Sequence, residues 1–107
     1  MAFNYNHITL VGRLTKEPEI RTLSSGTSKT TITLAVNRSF KREDGTHETD
    51  FIPVIFWGRL SELAYQILKK GAPVLTWGRI QVRQYEKESE THWMTEIVAD
   101  NFQILEK

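Results

Sequence analysis

The chain predicts an all-β domain with one helix, a five-stranded Greek-key barrel of the OB-fold class with the helix between strands 3 and 4. Three observations predict it. Several segments carry strand-like periodicity, one segment alone switches to helical spacing, and that segment is followed by a long hairpin pattern. Strand, strand, strand, helix, strand, strand is the order of a small barrel whose face and flanking loops bind single strands or oligosaccharides. The fold alone does not settle what is bound.

The first strand is "HITLVGRL", with Ile8 and Leu10 on one face and Gly12 inside the pattern. A glycine there marks a bulge or a sharp bend. Pro18 interrupts in "KEPEI", and a short strand resumes from Ile20 to Leu23. "SSGTS" is a turn, with Gly26 free to take a positive φ. The second full strand is "TTITLAVNRSF". Ile32, Leu34 and Val36 share its inner face, and Thr31, Thr33, Ala35 and Asn37 the other. Lys41 to Thr49, "KREDGTHET", reads as a polar loop around an Asp-Gly turn.

"DFIPVIFWGRL" follows, and it hardly alternates. Ile52, Val54 and Phe56 are expected in the core. Phe51 and Trp57 then share the opposite face with Pro53 and Ile55. Next, Leu60, Leu63, Ala64, Ile67 and Leu68 recur at helical spacing in "RLSELAYQILKKG". Lys69 and Lys70 suit the negative end of the helix dipole, and Gly71 is a stop. In the hairpin, Val74, Thr76, Gly78, Ile80 and Val82 form one face. Leu75, Trp77, Arg79, Gln81, Arg83 and Tyr85 form the other. "EKESET" is the connection and Trp93 to Ala99 return. The tail "NFQIL" adds an edge strand or closes the bottom of the domain.

The 107 residues suit one domain, taken as 1–107. At 39% apolar and 25% charged, the composition is that of an ordinary globular chain. No run approaches the length of a membrane span, and the start "MAFNYNHITL" lacks a secretory pattern. The chain has no Cys, which excludes thiol chemistry and agrees with a cytoplasmic setting. A net charge of +1 excludes bulk coating of duplex DNA by charge, so any nucleic-acid binding rests on a local basic face or on stacking.

Catalysis finds no support. His7, His47 and His92 have no partners at metal-ligand spacing. Glu86, Glu88 and Glu90 lie in a solvated connection with nothing to shield one of them. "GRLTKEPE" lacks the spacing of a phosphate loop. No enzyme activity, metal or cofactor is expected.

Aromatic residues interleaved with Arg are more informative. Trp77, Arg79, Arg83 and Tyr85 share one face; Arg38, Phe40, Lys41 and Arg42 cluster at one strand end; Phe51 and Trp57 add two rings. Rings stack on any base, each worth ~1–3 kcal/mol, while cations between them meet phosphates. Such a surface suits single strands, whose bases are free to turn outward. The competing reading is packing or a protein contact. Trp93 is assigned to packing, and Trp77 to a subunit contact or the binding face.

"HITLVGRLTKEPEIR", "SSGTSKTTITLAVNRSF", "VIFWGRLSELAYQILKKGAPVLTWGRIQVRQY" and "TEIVAD" together resemble the bacterial single-stranded DNA-binding protein family, from about Asn6 to Leu105. The resemblance implies binding and protection of single-stranded DNA in replication, recombination and repair, in the cytoplasm at the nucleoid. Its four aromatic positions map onto Phe40, Phe51, Trp57 and Tyr85, and matching basic positions are Arg38, Arg59, Lys69, Lys70 and Arg83. The first, second and fourth aromatic positions are often Trp in the family. Here smaller rings stand there, which implies weaker stacking. Arg21 matches the first-strand motif in a structural or interfacial role.

The resemblance also implies a homotetramer of one-barrel chains, with strand 1 pairing across a twofold axis. Ile52 stands where a contact His is common. The connection "KREDGTHET" is short for the family, which implies fewer DNA contacts there. The family usually continues into a disordered segment with an acidic tip that recruits partners. This sequence stops at "QILEK", so recruitment through such a tip is not expected of it. Two alternatives stay open: a dimeric primosome-type adaptor in replication restart, and an OB-fold protein-interaction module.

Overall fold

The structure is a computed structural model and describes residues 3–105. Its elements run β1 (Ile8–Leu14), β2 (Glu19–Thr22), β3 (Ser28–Lys41), β4 (His47–Trp57), α1 (Gly58–Ile67), β5 (Pro73–Lys87) and β6 (Glu90–Ile104). Neighbouring strands follow the order β1, β5, β6, β4, β3, and β3 returns to β1 through Arg13–Ala35 and Leu14–Leu34. That return closes a five-stranded barrel, the predicted architecture. The strand β2 stands outside the ring, paired only with β3 and exposed throughout.

Closure depends on β1 serving two partners. It pairs with β5 from Ile8 to Arg13 and with β3 at its end. Gly12 permits this, though not as a bulge, because the β1–β5 register is continuous. A Cβ on Gly12 would lie 2.7 Å from the Ala35 carbonyl oxygen, so the missing side chain lets β3 approach.

The barrel interior is apolar because alternate residues of each strand point inward. Ile32 and Leu34 from β3, Val54 and Phe56 from β4, Val74 from β5, and Ile97, Ala99 and Phe102 from β6 form one cluster. Phe56 and Phe102 meet edge to face at 5.3 Å, a favoured arrangement of two ring quadrupoles. The β6 strand runs parallel to β4 at Val54–Ile97 and Ile55–Val98 and antiparallel to β5 along its length. The tail "NFQIL" continues β6 as far as Ile104, opposite Val74.

The hairpin departs from expectation after Gly78. The β5–β6 register shifts between Trp77 and Gly78. At Gly78 a Cβ would sit 2.0 Å from the Val98 carbonyl oxygen. Val74, Thr76 and Gly78 are buried, but Arg79 to Lys87 are all exposed. Ile80 and Val82 were expected on the same inward face. They lie open because the bulge turns the ribbon away from the barrel. The ladder also zips further than "EKESET" suggests, to Lys87–Glu90. Glu88 and Ser89 alone make the turn, both with positive φ, as a tight type I′ connection requires. On the other edge of β5, the Asn6 side chain donates to the Ile80 carbonyl (2.8 Å) and accepts from its N–H (2.9 Å).

The β3–β4 hairpin is likewise longer than predicted. Lys41 pairs with His47, so the polar loop shrinks to a turn closed by Arg42 N–H to Thr46 carbonyl. Asp44 accepts from the Thr46 N–H (3.0 Å) and hydroxyl (2.7 Å), and Gly45 takes a φ of 89°.

The helix buries a narrower stripe than its periodicity implies. Ser61, Ala64 and Leu68 are buried, while Leu63 and Ile67 are open to solvent. One short helix lying over one end of a barrel needs only one row of contacts. Ser61 belongs to that row because Thr30 receives it: the Thr30 hydroxyl donates to the Ser61 carbonyl (2.8 Å), and the two hydroxyls lie 2.7 Å apart. The helix ends at Ile67, so Lys69 and Lys70 fall past its last turn rather than within it. Gly71, with φ 88°, turns the chain so that its N–H reaches the Leu14 carbonyl at 2.8 Å.

Candidate nucleic-acid interface

Strand parity on β4 puts Phe51, Pro53, Ile55 and Trp57 on the outer wall, across from Ala35, Thr33, Thr31 and Lys29 of β3. Phe51 is 64% exposed and Trp57 is exposed as well. Ile55, at 2%, is sunk beneath its neighbours, so Pro53 alone of the two intervening residues is partly open. The Lys29 ammonium lies 5.5 Å from the Trp57 ring centroid, within cation–π range. Lys29 escaped the sequence reading. The signal was available: it precedes Thr31 and Thr33 by the strand period, on their face.

The second wall comes from the hairpin. Arg83 sits 5.8 Å from the Tyr85 ring centroid, and Tyr85 stacks on His92 with centroids 5.4 Å apart. Glu96, only 3% exposed, receives Arg83 Nε at 3.3 Å. A buried carboxylate needs such a partner. It aims the guanidinium and also offsets part of its charge. Arg83 and Lys29 border one concavity of about 500 Å³, together with Glu19, Ile20, Arg21 and Thr31. The cation of each cation–aromatic pair therefore lines the same hollow, and Arg21 lines it with them.

The other predicted residues fall elsewhere. Phe40 is 85% exposed and borders a shallow depression with Arg38, Lys41, Arg42 and Glu48. Arg38 is already engaged by carboxylates. It holds Asp50 at two points (3.2 and 3.0 Å) and Glu48 at 2.7 Å. The hydrogen bond to Asp50 raises the Arg38 pKa and lowers that of Asp50. Arg59 lies in the first turn of α1, and Lys69 and Lys70 lie beyond its end. A ten-residue helix is about 15 Å long, so these three do not form one cluster.

Phe51 also borders an apolar groove of about 370 Å³ with Ile8, Ile52, Pro53, Ile80 and Ile97. Trp93 was assigned to packing. The structure leaves it 65% exposed on the projecting ribbon, where no second layer covers it. Trp77, before the bulge, is half-buried. Among the described residues no group of three His, Asp or Glu could hold a metal ion.

A closed OB barrel with exposed rings and cations on its outer wall defines an oligonucleotide-binding module by class. The chain belongs to the Single-strand binding protein family, whose model matches residues 5–105. It is 43% identical over 102 residues to Single-stranded DNA-binding protein 2 of Streptococcus agalactiae serotype III (strain NEM316), covering 95% of this chain and 78% of that one. It is 45% identical over 102 residues to the single-stranded DNA-binding protein of Caldanaerobacter subterraneus subsp. tengcongensis, covering 94% of this chain and 68% of the relative. The crystal structure of a deletion mutant of the single-stranded DNA binding protein from Thermus aquaticus matches with a TM-score of 0.79 at 29% identity. That match covers 95% of this chain and spans about half of the Thermus chain, 51%.

Proposed function

We propose that this chain binds single-stranded DNA without catalysis, by stacking bases on its exposed rings and pairing phosphates with nearby cations. Membership of the Single-strand binding protein family supports the ligand. The observation that carries the mechanism is that Lys29 and Arg83, each lying over an exposed ring (Trp57 and Tyr85), line one hollow. A ring next to a cation meets a base and its phosphate together. Phe51 and Phe40 extend the path along β4 and the β3–β4 hairpin, with Arg59, Lys69 and Lys70 as outlying cations. In this reading residues 1–107 act as one binding domain. The chain works in the cytoplasm at the nucleoid, in replication, recombination and repair.

Titration with a dT oligomer is expected to quench Trp fluorescence, with affinity falling as salt rises because condensed counterions are released. Trp57→Ala is expected to weaken binding by about 5- to 150-fold, the equivalent of ~1–3 kcal/mol for one stack. No quenching and no gel shift at micromolar protein would sink the reading.

We further propose a homotetramer. Among the described residues, the edge of β1 before Arg13 has no strand partner opposite β5, and Thr9 and Val11 are exposed on it. An open edge of this kind invites pairing with a second copy across a twofold axis.

A further inference from the structure

The β3–β4 hairpin carries a charge pattern at odds with a phosphate-binding role. Between residues 38 and 50 stand three cations, Arg38, Lys41 and Arg42, and four acids, Glu43, Asp44, Glu48 and Asp50. Two of the acids, Glu48 and Asp50, are placed directly against the cations, while Asp44 is held by Thr46. Asp50 meets the guanidinium of Arg38 in the two-point geometry that a phosphate would use. Glu48 takes the remaining Nη1 of Arg38 at 2.7 Å with one oxygen and Arg42 at 3.4 Å with the other. His47 Nδ1 donates to the Arg38 carbonyl at 2.7 Å, which steadies the strand behind the cluster. Phe40 borders the same depression, its ring open to solvent. A base seated on Phe40 therefore brings its phosphates up to cations already occupied by carboxylates.

We propose that Glu48 and Asp50 are affinity-setting residues: they stand in for phosphate on Arg38 and Arg42, and a bound strand must displace them. The inference rests on the reading that this hairpin meets single-stranded DNA. The competition is built to be reversible. All four side chains are about half exposed, and ion pairs at such sites are individually weak and screened by salt. A strand wins the exchange at high local phosphate density, and the carboxylates reclaim the cations when it leaves. While the carboxylates hold the cations, the two arginines release few counterions on binding. The salt dependence of affinity is then shallower than the number of basic residues suggests.

The test is a dT-oligomer titration of the full chain and of Glu48→Gln/Asp50→Asn across a salt series, by Trp quenching. Removing both charges is expected to tighten binding about tenfold at low salt. The salt slope should steepen by about 0.7 for each arginine set free. Adding Arg38→Ala to the double variant should abolish most of that gain. Unchanged affinity in the double variant overturns the inference. A gain that survives Arg38→Ala also overturns it, because the effect would then be general charge removal. Should the double variant prove less stable by its melting temperature, Glu48→Gln alone reads the same competition at a half-exposed side chain. Failure of the unsubstituted chain to bind dT at all would instead overturn the proposed function, so the two failures are distinguishable.

Discussion

Thr30 and Ser61 put a hydroxyl pair into a mainly apolar interior, and each is fully buried. Their bonds tie β3 to α1, the one polar contact between helix and barrel in the core among the described residues. Thr30→Val keeps the shape and removes the donor to the Ser61 carbonyl. It is expected to cost about 1–3 kcal/mol, the desolvation penalty of groups left unpaired, read as a lower melting temperature. At this scale the sequence spoke unevenly. Ile32, Leu34, Val54 and Phe56 were legible from strand alternation, and so were the exposed rings of Phe40, Phe51, Trp57 and Tyr85. Ser61 was not, because a hydroxyl in a helical stripe looks like a solvent position until its partner on another strand is known. Arg38 was not, because its bonds to Glu48 and Asp50 cross a hairpin whose register local pattern does not reveal.

Elements were legible in kind and less so in extent. Each predicted strand is present, and the helix starts within a residue of its pattern. Both hairpins run longer than read, since how far a ladder zips depends on the turn that ends it. Glu88 and Ser89 adopt positive φ at a place where Asn and Gly are favoured. Glu88→Asn with Ser89→Gly is expected to stabilise the domain by about 1 kcal/mol by relieving left-handed strain, measured as a higher denaturant midpoint. The β3–β4 hairpin should respond to acid in a definite direction. Bonding to Arg38 lowers the Asp50 pKa, so the clamp is intact above the ordinary aspartate range and is lost as pH falls through the depressed value. The Arg38 Nε–H resonance is expected to hold steady through neutral and mildly acidic pH and to move only once pH falls below the ordinary aspartate range. A transition near pH 6 would contradict the assignment.

For the whole molecule the closed barrel was foreseeable, because the order of elements leaves few ways to bury every apolar face. Its outline was not. The radius of gyration is 15.5 Å, against about 13 Å for a compact domain of this length. The excess reflects the two hairpins that project past the core. Arms of this length stand without a second layer in a lone chain, and an isolated two-stranded ribbon is marginal in water. Assembly would supply that support. For the proposed tetramer, solution mass is expected to be that of four chains without DNA and of four chains plus bound oligomer once dT is added. A dimeric mass would favour the adaptor reading, and a monomer would leave the open edge of β1 unexplained.

Barrel closure by β1 has a consequence in time. The residue that Ile8 pairs with, Gly78, lies about 70 residues further along the chain. At a synthesis rate of roughly 5–20 residues per second, the opening strand waits about 4–14 s on the ribosome for its neighbour to be made. Through that interval its ladder atoms are available to any other nascent strand nearby. Neighbouring ribosomes on one message carry identical copies of that strand, all at the same disadvantage. The same strand that completes the finished barrel is thus the point where an unfinished one is most open to mispairing.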